Sequence, residues 1–272
     1  MKLMSIFGTR PEIIRLSKIF PLLDSNFDHV MVNTYQNYTT ELNKIFFKEL
    51  GIRSPDYNLG VATKNYGDEI SDVIKKSEKV LLKEKPDMIL ILGDTNSGLA
   101  AIPASHHGIK IAHLEAGMRS YDYRMPEEKN RIIIDHLSSI LLPYTQYSRE
   151  NLIRENIHPS KIFVVGNPII EVINSNIKKI DSSKILEKLK IKPNEYFLVT
   201  AHRSENVDDP DSLKQILEGL KKIHLKFGKK IIYPIHPRTL DKLKGMKIPK
   251  GITTTKPLGF IDFCKLEKNA LC

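Results

Sequence analysis

The chain has 272 residues, a formal net charge of +10, and 41% hydrophobic against 27% charged residues, the make-up of a soluble globular protein with one large or two modest cores. No apolar run approaches the ~18 residues that a membrane span needs, and two cysteines, Cys264 and Cys272, supply neither a disulfide framework nor a metal quartet. The lysines lie scattered among glutamates on helix-like periods (VIKKSEKVLLKEKP, LKKIHLKFGKK), so the charge reads as a solvated face, and no zinc-finger spacing, aromatic RNA-binding motif or basic block points to nucleic acid.

The chain opens with MKLMSIFGTRPE, whose apolar run is too short for a signal peptide. The expected location is the cytoplasm. KLMSIF predicts a strand and 11–23 a helix; HVMVNT a strand and 39–50 a helix. A helix over 67–83 leads to the strand DMILIL, a helix over 96–106 to KIAHLE, and a helix over 127–138 to SILLPY. A helix over 146–155 and the strand KIFVVG follow. Alternating strands and helices predict an α/β fold with a parallel sheet covered on both faces, whose ligands sit beyond the carboxyl ends of the strands.

GNPIIEVINSNIKKIDSSK marks a boundary: Pro168 can open a helix, and the Asn/Ser/Asp/Lys-rich run after it reads as a linker. The expected domains are 1–167 and 168–272. The pattern restarts with the strand YFLVTA, a helix over 210–227, the strand KIIYPI, a helix from Pro237, the strand GITTTK and a helix over 261–269. NALC resembles the start of another buried strand, so the expectation is a chain that stops inside its second domain.

Several motifs place chemistry at strand ends. In FGTRPE, Gly8 permits a tight turn, Pro11 suits a first helical turn, and Arg10 projects from the loop, with Arg15 one turn further on. This is either a diphosphate or sugar site at a helix N-terminus or a strand–helix turn with a surface arginine. Asp94 in LGDTNS and Glu115 in HLEAG each follow an apolar run, and Glu127 and Glu128 open a helix after Pro126. Glu127 taken singly is explained by helix capping. Asp94, Glu115 and Glu127 beside Arg10 are harder to explain so, because clustered carboxylates raise one another's pKa and divide acid and base roles. His113, on the same strand face as Glu115, reads as a packed core histidine.

In TAHRSENVDD, His202 and Arg203 could hold a leaving phosphate with Glu205 orienting His202, or the loop could cap the helix at Pro210. His236 in IHPRT, with Arg238, makes a second anion site or a simple turn. A zinc reading of His202 and His236 lacks a third ligand. Gln36 and Asn37 could bind a ligand, although a Thr39 or Thr40 helix cap explains most of that segment.

In this order and spacing, FGTRPE, QNYTTELN, LGDTNS, HLEAGMRS, PEEKNR, GNPIIEV and TAHRSEN resemble the non-hydrolysing UDP-N-acetylglucosamine 2-epimerase family from residue 2 to the end. The resemblance implies a GT-B-like fold: two Rossmann-like parallel-sheet domains facing a cleft that holds the nucleotide sugar. The second domain is expected to be incomplete, because the family's Asp-Ser-Gly, paired-Glu and arginine segments are not found in these residues. The resemblance puts Asp94, Glu115 and Glu127 at the acid/base positions, Arg10, Arg15 and His202 at nucleotide-sugar positions, and Phe263 of GFIDF beside the uracil. Arg15 stands where the family commonly has lysine, which keeps the charge and changes the geometry.

The implied reaction inverts C2 of a UDP-N-acetyl sugar by elimination of UDP and re-addition to a 2-acetamidoglucal, with no cofactor, neither NAD nor metal, in a homodimer. IPASHHGIKI, AHRSEN and HPRT lean toward relatives that act on modified UDP sugars of the diacetamido-glucuronate or acetamido-deoxytalose type. A GT-B glycosyltransferase and an inactive nucleotide-sugar-binding remnant are the competing readings.

Overall fold

The run MILIL is buried at four of its five positions and KLMSIF at five of six, the pattern of strands covered on both faces. In the computed structural model they become central strands of a six-stranded parallel sheet: β1 (Lys2–Phe7), β2 (Asp28–Asn33), β3 (Tyr57–Asn58), β4 (Met88–Leu92), β5 (Lys110–Leu114) and β6 (Ile140–Leu142), in the order β3-β2-β1-β4-β5-β6. The structure describes residues 1–34, 40–61, 65–201, 209–235, 239, 242–243, 246 and 248–272, with backbone only at 40–44. Among the described residues no helix is long and apolar enough to cross a membrane. The chain divides into two compact units, Met1–Val172 and Ile173–Cys272.

In the first unit, Met4, Ile6, Val32, Ile89, Ile91 and Ile111 form one apolar layer with Val73, Val80 and Leu81 of the helix Tyr66–Glu84. Strand order reverses between β1 and β4, which pair in register from Leu3 with Met88 to Ile6 with Ile91. The loops leaving β1 at Gly8 and β4 at Gly93 therefore emerge side by side at the carboxyl ends, where open parallel sheets bind ligands.

The helix expected over 11–23 is two helices, α1 (Arg10–Leu16) and α2 (Ile19–Asn26). Pro21 is the cause: inside one continuous helix it would remove a backbone hydrogen bond and clash with the preceding turn. The break at Ser17 and Lys18 moves Pro21 into a first turn. At the other end of the sheet, His29 is a buried polar contact: Nε2 lies 2.9 Å from Ser5 Oγ and Nδ1 2.7 Å from Asp24. Burial holds its pKa below the usual histidine value against the opposing pull of Asp24.

KIFVVG does not form the strand expected of it. Ile162 makes an isolated bridge with Leu141, and Phe163 and Val165 donate to the Leu141 and Pro143 carbonyls. No ladder continues, and Phe163 and Val165 stay exposed. A helix opens after Pro168 as expected, Ile169–Ser175, but the run read as a linker is helical too, over Ile177–Ser182, with Ile185–Lys188 beyond it. Val172, Ile180 and Ile185 are buried, and those apolar positions outweigh the polar composition between them.

The second unit holds a parallel sheet of β7 (Tyr196–Leu198), β8 (Lys230–Pro234) and β9 (Ile252–Thr255). Alternation splits β8 between two cores. Ile231 and Tyr233 face Leu213, Leu217 and Leu220 of the helix Pro210–Phe227, while Ile232 packs with Tyr196, Ile185 and Leu266. The final residues run beside β7, with Leu271 donating to Tyr196 and Leu198 to Cys272 (both 2.9 Å). Pro237, where the next helix was expected to start, lies outside the described residues.

Candidate active site

Two sequence-predicted carboxylates and two predicted arginines stand at the carboxyl edge of the first sheet. Asp94 follows β4 and Glu115 follows β5, strands paired in register from Met88 with Lys110 to Leu92 with Leu114. Arg15, on the last turn of α1, pairs with Glu115. Asp94 pairs with Arg131, a residue the sequence reading did not select.

Arg131 lies on the helix Pro126–Leu137 and reaches Glu128 as well (2.9 Å). Glu128, not Glu127, enters this network. It accepts from the Ser120 and Tyr121 backbone N–H groups (2.9 and 3.1 Å) and from Ser120 Oγ (3.0 Å). Burial works to raise its pKa, and these donors with Arg131 hold it below the usual value. Glu127 is exposed. Neighbouring helix positions point about 100° apart, so one carboxylate of the PEE pair turns inward and the other outward. The Glu128–Arg131 spacing of three was the readable signal, since such residues meet on a helix face. Asn130 donates to the Asp94 carbonyl (3.0 Å) and to Asn96 Oδ1 (2.9 Å), fixing the Asp94 turn.

Glu115 is buried and has φ +72°, left-handed backbone in a residue with a side chain. Its pKa is raised, by burial first and by Asp94 second, while Arg15, Tyr144 and Arg131 oppose. Such a carboxyl titrates nearer neutrality than a hydrated one, as proton transfer in both directions requires. Tyr144 stands buried beside it, and its hydroxyl pKa is raised by burial and by the Glu115 charge.

Arg10 is half-buried and has no ion pair among the described residues. Burial lowers its pKa, as desolvation does for a buried cation. Its loop is held by Glu12, which accepts from Gly8 N–H (3.1 Å), Thr9 N–H (2.7 Å) and Thr95 Oγ1 (3.1 Å). Glu12 is fully buried, and burial pushes its pKa up to about 7 despite those donors. The T-R-P-E spacing is a readable capping signature; its partner Thr95, 83 residues away, left no local trace. Gly117 has φ +73°, and a Cβ there would meet the Ser148 carbonyl at 2.2 Å, so the turn after Glu115 is closed to larger residues.

His113 is a core histidine as read, with both ring nitrogens in hydrogen bonds. Phe263 lies half-buried in the helix Phe260–Asn269 of the second unit. Gln36, His202, Arg203, Glu205 and His236 lie outside the described residues.

The family model for UDP-N-acetylglucosamine 2-epimerase matches residues 23–272. The UDP-N-acetylglucosamine 2-epimerase of Methanocaldococcus jannaschii is 44% identical, over 99% of this chain and 77% of its own length. A crystal structure of the M. jannaschii enzyme in complex with UDP-GlcNAc and UDP superposes with a TM-score of 0.92 at 43% identity, covering 99% of this chain and 77% of that one. The UDP-2,3-diacetamido-2,3-dideoxy-D-glucuronate 2-epimerase of Pseudomonas aeruginosa is 34% identical, over 96% of this chain and 74% of its own length.

Proposed function

Because the chain belongs to the UDP-N-acetylglucosamine 2-epimerase family and shares its GT-B fold, we propose that it interconverts UDP-GlcNAc and UDP-ManNAc through the site at the carboxyl ends of β4 and β5. The observation that carries this reading is the pair of carboxylates, Asp94 and Glu115, on adjacent parallel strands, each held by an arginine.

The C2 proton of an N-acetyl sugar is weakly acidic, so the carboxylate chemistry must be coupled to loss of a good leaving group. One carboxylate takes the C2 proton. The C–H electrons form the C1=C2 bond, and the C1–O bond breaks with its electron pair leaving on the UDP β-phosphate oxygen. A protonated carboxyl then returns a proton to the opposite face of C2 while that oxygen rejoins C1. Asp94 and Glu115 divide these acid and base duties, and Glu127, exposed at the start of its helix, is the third carboxylate open to them. Arg10 and Arg15, with His202, Arg203, Glu205, Gln36 and His236, bind the nucleotide sugar, and Phe263 stands by the uracil. The guanidinium of Arg10, without an ion pair among the described residues, suits a departing diphosphate, whose charge grows as the bond breaks. The same reading makes the protein a cytoplasmic homodimer that binds a UDP-sugar.

Proton NMR in deuterium oxide tests the reading. UDP-GlcNAc incubated with the protein is expected to lose its C2 proton signal and to yield the C2 epimer. A protein that transfers the sugar without C2 exchange, or one that leaves the substrate unchanged, overturns the proposal. The P. aeruginosa relative favours a second reading, a UDP sugar modified at C3 and C6. Faster C2 exchange on UDP-diacetamido-glucuronate than on UDP-GlcNAc would select it.

A further inference from the structure

Beneath Asp94 and Glu115 runs a chain of buried charge that the acid and base roles do not use. His113, on β5, is fully buried: Nε2 lies 2.8 Å from the Gly93 carbonyl oxygen and Nδ1 2.7 Å from Asp135 Oδ1. Asp135, on the helix Pro126–Leu137, accepts from Gly117 N–H with Oδ2 (3.1 Å) and pairs with Arg119 Nη1 (2.8 Å). Arg119 is clamped by Glu155 through Nε (2.7 Å) and Nη2 (2.6 Å). Burial works to raise the Asp135 pKa, and His113 and Arg119 outweigh it, so the carboxyl is held below its usual value.

The endpoints of this chain give it meaning. Gly93 immediately precedes Asp94, and Gly117 lies two residues after Glu115. Both glycines are left-handed, at φ +72° and +73°, turns that need hydrogen bonds to stay in one conformation. A Cβ built on Gly93 would lie 3.9 Å from Glu115 Oε1, so the Gly93 turn borders the Glu115 carboxyl itself. Backbone pairing already joins the strands, with Gly93 N–H bonded to the Leu114 carbonyl (2.9 Å). A buried ion pair is weak support for stability, because desolvation offsets much of its attraction. Here its contacts end on the turns that flank the two carboxylates.

We propose that the His113–Asp135 pair is the positioning element of the site: it ties the turn before Asp94 to the turn after Glu115 and so fixes the separation and orientation of the two carboxylates. What those carboxylates do rests on the epimerase reading above; the tie itself does not. Acid and base must meet opposite faces of one carbon, and reacting groups displaced by about 1 Å lose on the order of 10²-fold in rate. Groups facing Glu115 from the surrounding elements are Arg15, Asp94, Tyr144 and Arg131. A looser tie admits water and draws Asp94 away, and both changes lower the Glu115 pKa.

The test uses His113→Asn, which can keep the donor toward Asp135, and His113→Gln, which can keep the donor toward Gly93. His29→Gln is the control, a histidine of the same sheet that is also buried against an aspartate but touches neither turn. Carbon-13 NMR titration of glutamate-labelled, unliganded protein is expected to show the Glu115 midpoint falling by about half a unit or more in both His113 variants and unmoved in His29→Gln. The kcat for C2 exchange should fall about 10-fold or more with KM changed less than about threefold, against at most about a twofold change in the control. An unmoved Glu115 midpoint in folded His113 variants, or equal losses in the control, overturns the proposal. Should either His113 variant fail to fold, Asp135→Asn, which keeps an acceptor for Gly117, is read by the same titration. Absence of C2 exchange in the wild type would overturn the epimerase reading, and the titration would still decide the tie.

Discussion

Glu115→Gln is expected to lower C2 exchange on UDP-GlcNAc by about 10²–10⁴-fold, the contribution of a positioned acid or base, while the protein stays folded. Gln matches Glu in shape, so packing against Tyr144 is kept. What is lost is the exchangeable proton site of a buried carboxyl whose pKa is raised by burial and by Asp94. Arg15 loses an ionic partner, but its side chain is 29% exposed and remains partly hydrated. The variant should therefore unfold near the wild-type midpoint. Exchange at the wild-type rate, measured by the C2 proton signal in deuterium oxide, would remove Glu115 from the reaction.

The second large effect is on stability and depends on pH. Burial pushes the folded pKa of Glu12 up to about 7 from its ordinary 4.5. A folded pKa above the unfolded one means that the contribution of Glu12 is fully present below about pH 4.5 and is lost as pH rises through about 7. A shift of this size corresponds to about 3 kcal/mol. Glu12→Gln has no such titration and keeps a residue suited to the capping position. Between pH 5 and pH 8 the variant should gain about 2–3 kcal/mol relative to wild type, read from hydrogen exchange of the β4 amides. His29 works in the opposite direction, since its lowered pKa removes stability as pH falls below about 6.5. Parallel curves for wild type and Glu12→Gln would show that Glu12 is ionised in both states over this range.

Apolar strands that end at a Gly or Asp were legible in the sequence because their burial is nearly continuous. The span of β1 is KLMSIF itself, and the helix Pro210–Phe227 has the expected bounds, marked by Asp209 accepting from Ser212 N–H and a left-handed Gly228. Asp94, Glu115 and Arg15 were legible as strand-end and helix-turn residues, and they meet. Glu12 and Glu128 left local signals in the T-R-P-E and Glu128–Arg131 spacings, but the distant contacts, Glu12 with Thr95, Arg131 with Asp94 and Asp135 with His113, left none, because the sheet brings those partners together. Arg131 is 37 residues from Asp94, and Asp135 is 22 from His113. Composition misled at 174–184, where polar residues hid the helix Ile177–Ser182 and its buried Ile180. Apolarity misled at KIFVVG, where the run lies beside β6 without a ladder.

The backbone at Glu115 bears on engineering. A residue with a Cβ at φ +72° carries about 1–2 kcal/mol of strain relative to glycine, and this one also carries a buried charge. A redesign that scores thermal tolerance alone would replace it with glycine or asparagine and would be rewarded in melting temperature. Such a variant, Glu115→Gly, is expected to melt higher than wild type and to exchange no C2 proton. Stabilising libraries built on this scaffold should therefore hold position 115 fixed, since it is where heat resistance and turnover select opposite residues.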